Sequence, residues 1–126
     1  MLGCFPNREH RYMKSKLPLP QDKKLTVIFR VEPGCLGPTG STLVDGFCSF
    51  AQKEVAMVDS DFVHWEILPR HDKALPEMQY RVCNKKLTHD KADQYLKLFQ
   101  RSLDLFEEHL HEKIVLLIQQ YLETHV

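Results

Sequence analysis

Phe62-Val63-His64-Trp65-Glu66-Ile67-Leu68 decides how the rest of this 126-residue chain is read. It contains the only tryptophan, and apolar and polar residues alternate through its centre. Side chains alternate faces along a strand, so Val63, Trp65 and Ile67 point one way and His64 and Glu66 the other. That pattern predicts a half-buried strand with a core face and a polar face.

Working back towards the N-terminus, Leu25–Glu32 reads as an earlier strand of the same kind. Leu25, Val27, Phe29 and Val31 share one face; Thr26, Ile28, Arg30 and Glu32 share the other. Between the two strands comes a loop from Pro33 to Gly40 with three glycines and two prolines, a density that punctuates structure. A helix is then expected from Ser41 or Thr42. Leu43, Val44, Phe47, Cys48, Ala51 and Val55 form its apolar stripe. Gly46 either weakens this helix or marks a place where something packs close. Working forward, Pro69 stops the Trp65 strand. A polar connection over 70–76 then leads to a third strand, Glu77–Asn84. Met78, Tyr80 and Val82 are on its core side; Gln79, Arg81 and Cys83 are on the other.

From Leu87 onward there is neither glycine nor proline. Thr88 is a credible N-cap. Ala92, Leu96, Phe99, Leu103, Phe106, Leu110, Ile114, Leu117 and Tyr121 recur at spacings of three and four, which is helical throughout. An unbroken helix over 89–123 would be about 50 Å long. A seven-residue strand spans only about 23 Å. The helix is therefore expected to break near Arg101–Asp104 or to pack its second half elsewhere. The run Ile114–Ile118 is apolar on every side of a helix. This surplus predicts a homodimer interface made by Phe106, Leu110, Ile114, Leu117, Ile118 and Tyr121.

The resulting expectation is a two-layer α+β fold of order βαββα: a three-stranded sheet covered on one face by two helices. Residues 1–24 are expected to form a flexible basic leader before a single domain over 25–126. The net charge is zero but uneven. Residues 1–24 carry six Lys/Arg against two acids, and the remainder carries eleven against fifteen. A mildly acidic folded part argues against nucleic-acid binding. No stretch approaches the roughly 18 apolar residues of a membrane helix, and the N-terminus lacks a signal-peptide pattern. These observations point to a cytoplasmic protein whose four cysteines, Cys4, Cys35, Cys48 and Cys83, are reduced. No Cys-x-x-Cys pair is present.

The uncovered sheet face gathers Arg30, Glu32, His64, Glu66, Gln79, Arg81 and Cys83. Its plain reading is a solvated face; its functional reading is a ligand floor or a partner surface. Cys35 sits in the glycine-rich loop ahead of a helix, where a thiolate is favoured. With His64 or His71 as base it would make a small thiol-dependent enzyme or redox protein. The loop lacks the Gly-Lys-Ser/Thr ending of a phosphate loop. Glu108 and His111 form one Glu-x-x-His, and a di-iron bundle needs two. No cofactor or metal is therefore expected, and no motif assigns a family. The leading expectation is a non-catalytic binding or self-association module, with a protein partner or a second copy as its ligand.

Overall fold

The structure, a computed structural model, describes residues 17–125. The first two-thirds of the expected leader, including Cys4, lies outside the described residues. The elements are β1 (Leu25–Val31), α1 (Gly40–Val55), β2 (Val63–Pro69), β3 (Met78–Val82), β4 (Lys85–Leu87), α2 (His89–Lys97) and α3 (Leu103–His125). The fold is mixed α+β, with one four-stranded sheet in the order β2-β1-β3-β4. β1 runs parallel to β2, and α1 makes the crossover between them. β3 is antiparallel to β1, and β4 to β3.

The sheet has one more strand than expected because β3 stops at Val82. Cys83 and Asn84 both have positive φ, 54° and 65°. They form a two-residue hairpin turn that places Val82 opposite Lys85. A tight turn of this kind needs both central residues on the left-handed side, where its twist matches that of the strands. Asparagine tolerates that region; cysteine rarely visits it.

The core lies between the sheet and its helices. Leu25, Val27, Phe29, Val31, Val63, Trp65, Ile67, Tyr80 and Val82 are buried there as the alternation predicts, and Met78 is half-buried. From α1 come Val44, Phe47, Cys48, Ala51 and Val55. α1 begins at Gly40, a little earlier than expected, after the N-cap Thr39. A side chain at Gly40 would run into the carbonyl of Pro33, so the 33–36 turn and the helix can only meet through glycine. Gly46 is likewise a place of close approach, because Tyr121 of α3 lies directly over it.

The long helical pattern breaks between Lys97 and Leu103. Gln100 adopts φ 62°. The Arg101 amide donates to the Leu96 carbonyl (3.0 Å) and the Gln100 amide to Lys97 (3.1 Å). Together these bonds make a Schellman ending to α2, with glutamine where glycine is usual. Thr88 caps the start of α2 by accepting from the Lys91 amide. Asp93 Oδ1 then accepts from the Leu103 amide (2.9 Å), so α2 supplies the cap for α3. Phe62 and Phe99 stack beneath this corner at 4.3 Å.

β2 is an edge strand, and its outward backbone is partly occupied. The Gln52 side chain donates to the Trp65 carbonyl and accepts from the Ile67 amide, at 2.7 and 2.8 Å. One amide from α1 thus mimics a neighbouring strand and covers part of the edge. Residues 17–24 also touch the fold: Leu17 and Leu19 pack against the core, and the Leu19 amide donates to the Asp61 carbonyl.

Candidate functional site

The seven residues expected on the second sheet face do not act as one group. His64, Glu66, Arg81 and Cys83 meet around a polar recess of about 370 Å³, joined by Asp22, Lys24 and Thr26. The register explains their meeting, because Thr26 lies opposite both His64 and Arg81. His64 Nε2 is 3.6 Å from Glu66 Oε2. In the next row, between Glu66 and Gln79, Ile28 is buried. Gln79 and Arg30 are buried too, where an open face was expected. Arg30 turns its guanidinium to the Pro76 carbonyl at 2.8 Å. Glu32 belongs to the far end, where Arg70 (3.4 Å) and Lys73 (3.9 Å) hold it.

Cys35 is exposed and free, in the short turn Pro33–Leu36. Among the described residues its thiol makes no hydrogen bond. His64 sits opposite Thr26 at the other end of the sheet. His71 follows the nearer end of β2 but turns to Asp45, at 3.9 Å. The pairing of thiol and imidazole that a nucleophilic site needs is not formed. Cys48 is buried, and burial, reinforced by the charge of Asp45, pushes its thiol up to about 12. It is a core residue, not a nucleophile. Cys83 is disulfide-bonded, so the expectation of four reduced thiols does not hold. His111 of the Glu-x-x-His pair approaches Glu77 (3.7 Å) and the edge of the Phe29 ring. Among the described residues no cluster of three or more His, Cys, Asp or Glu could hold a metal.

The apolar series of α3 is used within the chain. Leu103, Phe106, Leu110, Ile114, Leu117 and Tyr121 are buried against the sheet and α1, and Ile118 is partly buried. Tyr121 packs edge-on against Phe47 at 5.6 Å. Tyr80 donates a short hydrogen bond to Glu107. Burial, then this carboxylate neighbour, raises the phenol well above the usual tyrosine range.

A second cavity was not foreseen. Its volume is about 380 Å³, and it lies between the C-terminal end of α1, the corner at 100–102 and the first turns of α3. Trp65 and Phe106 form its floor, stacked with centroids 5.3 Å apart and an 8° angle between rings. Val55 and Leu110 complete the apolar base. The Trp65 indole N–H donates to the Val58 carbonyl at 2.8 Å, so the ring is fixed and its polar atom satisfied. Val58 and Leu105 stand exposed at the mouth. Among the described residues, Arg101, His109 and Lys113 supply its basic groups and Asp59 its acid. Arg101 is 3.1 Å from Asp59 and lies over the Phe62 ring at 5.6 Å.

No family model matches the chain, and no curated protein or solved structure is similar to it. An apolar cavity with a few converging polar groups is the usual form of a small-molecule site. The warning sign in the sequence was the apolar surplus of residues 103–122 beside a lone tryptophan. What it could not show is that the helix break opens a gap above Trp65.

Proposed function

We propose that this protein is a non-catalytic binding module whose ligand enters the cleft above Trp65 and Phe106. The observation that carries this reading is the stacked aromatic floor, fixed by the indole–Val58 hydrogen bond and left with an unfilled apolar space over it. Trp65 is the only tryptophan, so the emission has a single source, in the floor of this cleft, and a variant at the mouth tells whether the quencher sits there. Titration with the neutral dye N-phenyl-1-naphthylamine should quench Trp65 saturably, at one dye per chain. Leu105→Asp, at the mouth, should weaken it. Quenching that fails to saturate, or that ignores Leu105→Asp, would remove the reading.

A second reading is self-association through the outer side of α3. Leu105 and Leu116 are exposed and eleven residues apart, about three turns, so they share a line on the helix, with Val115 beside them. A second copy would cover these residues rather than the buried series. Light scattering of the full chain at micromolar concentration tests this: Leu116→Glu should convert a dimer to a monomer. A wild-type chain that is already monomeric would end this reading.

The alternative of a thiol-dependent enzyme at Cys35 has less support, because neither histidine is placed to activate the thiol. An alkylation rate for Cys35 well above that of a simple thiol would revive it.

A further inference from the structure

The charges lining the cleft are uneven. On the second face, His64 meets Glu66, and at its far end Arg70 and Lys73 meet Glu32. At the cleft, Arg101, His109 and Lys113 face a single carboxylate, Asp59, which Arg101 already engages. Lys113 is half-buried, yet among the described residues it has no ion pair. The acids nearest in sequence do not supply one. Asp104, Glu108 and Glu112 are exposed and none lines the cleft. Glu107 is taken by Tyr80. His109 and Lys113 are one turn apart, so they stand on the same side of the helix and converge on the same opening.

We infer that the ligand is an amphipathic anion: a single carboxylate or sulfonate head on an aromatic or alkyl body. This rests on the reading of the cleft as a ligand site. The body lies over Trp65 and Phe106 between Val58 and Leu105. The head sits at the mouth, where the Lys113 ammonium donates to it. A partly desolvated cation without a partner is costly to keep, and an anion arriving with its own apolar body offsets that cost. A cationic ligand would meet three basic groups and one occupied acid.

The test compares two dyes that differ in the charged head. One is 8-anilinonaphthalene-1-sulfonate; the other is N-phenyl-1-naphthylamine, the same ring system without the sulfonate. Both are read by quenching of Trp65 in the full chain. The sulfonate dye should bind about tenfold more tightly than the neutral one, the scale of one charge-assisted hydrogen bond. Lys113→Met keeps the apolar stem and removes the charge. It should bring the sulfonate dye down to the neutral dye's affinity and leave the neutral dye unchanged; Lys113→Gln should do the same. Equal affinities in the wild-type chain, or a sulfonate dye indifferent to both Lys113 variants, would overturn the anionic assignment while leaving the cleft as a site. A neutral dye that gives no saturable quenching would overturn the cleft itself.

Discussion

Two recesses of nearly equal size, about 380 and 370 Å³, lie on opposite sides of the same strand. β2 supplies Trp65 to one and His64 and Glu66 to the other. The polar recess looks more like a functional site on paper, since it gathers a histidine, a glutamate and an arginine. Yet its acids, Asp22 and Glu66, nearly offset its bases, Lys24, Arg81 and His64, and His64 and Glu66 are near enough to pair. The cleft over Trp65 has fewer polar groups, but they do not cancel, and its floor is rigid. A collection of reactive residue types is thus a weaker sign of function than a space whose walls leave something unmatched.

The contrast is sharpest at the floor of the cleft. Phe106→Ala removes a buried ring and leaves a hole beside Trp65. The expected loss is about 3–5 kcal/mol, a large fraction of the stability of a small domain. Urea unfolding followed by circular dichroism measures it, and Trp65 emission should shift to the red as water reaches the indole. A loss below about 1 kcal/mol, the level of an exposed substitution, would mean that the stack is loose and the floor not preformed.

The next test concerns the far anchor of the same wall. By helix propensity alone, Gly46→Ala would stabilise α1 by about 1 kcal/mol. The new methyl group would instead meet the Tyr121 hydroxyl. Crowding of this kind reverses the sign, for an expected net loss of about 1–2 kcal/mol. With Tyr121→Phe already in place, the nearest remaining atom is a ring carbon at 3.5 Å, an ordinary contact. Gly46→Ala should then stabilise. The same sign in both backgrounds would show that α3 is not seated on α1 as described.

These particulars also show what the sequence could and could not disclose. Strand alternation identified the core face, from Leu25 to Val82, because side chains alternate with a period of two, but it did not foresee that Ile28, Arg30 and Gln79 on the other face are buried as well. Length alone called for a break in the last helix or for a second half packed elsewhere, since a strand cannot cover about 50 Å of helix, and the break is what the structure has. Its position at Gln100 carried no glycine to announce it. β4 was missed because Cys83 occupies a turn position where cysteine is a poor signal. The polar recess was legible only in part: alternation put His64, Glu66, Arg81 and Cys83 on one face, but the strand order that brings them together with Asp22 and Lys24 is not written in any single strand. The cleft was not, because residues 55–59, 65, 100–106 and 109–113 come together only once the corner between α2 and α3 has formed.

That corner titrates. Asp93 accepts from the Leu103 amide and lies 3.0 Å from Lys97, and both contacts, the amide first, hold its carboxyl below the usual range. A lowered folded-state value means that the stabilisation is complete above the unfolded value of about 3.9. It is lost as pH falls through the lower, folded value. Asp93→Asn should therefore be less stable than the wild type at neutral pH, by less than Gly46→Ala, and the gap should close in acid. Urea midpoints of both proteins across an acid series test this. A gap that persists unchanged to low pH would mean that the carboxylate charge is not what joins α2 to α3.

The smallest effect belongs to the polar recess, and it bears most directly on the choice between the two sites. His64 and Glu66 are 3.6 Å apart with side chains 39% and 41% exposed. Water screens such a pair, so Glu66→Gln should change stability by less than about 0.5 kcal/mol. A double-mutant cycle with His64→Gln should return a coupling no larger than that. If the coupling instead exceeded about 1.5 kcal/mol, far above what an exposed pair supplies, the two groups would have to be held in a drier, more rigid setting than their exposure indicates. The balance of charge that demotes this recess would then be a built feature, and the second face, not the Trp65 cleft, would be the better place to look for a ligand.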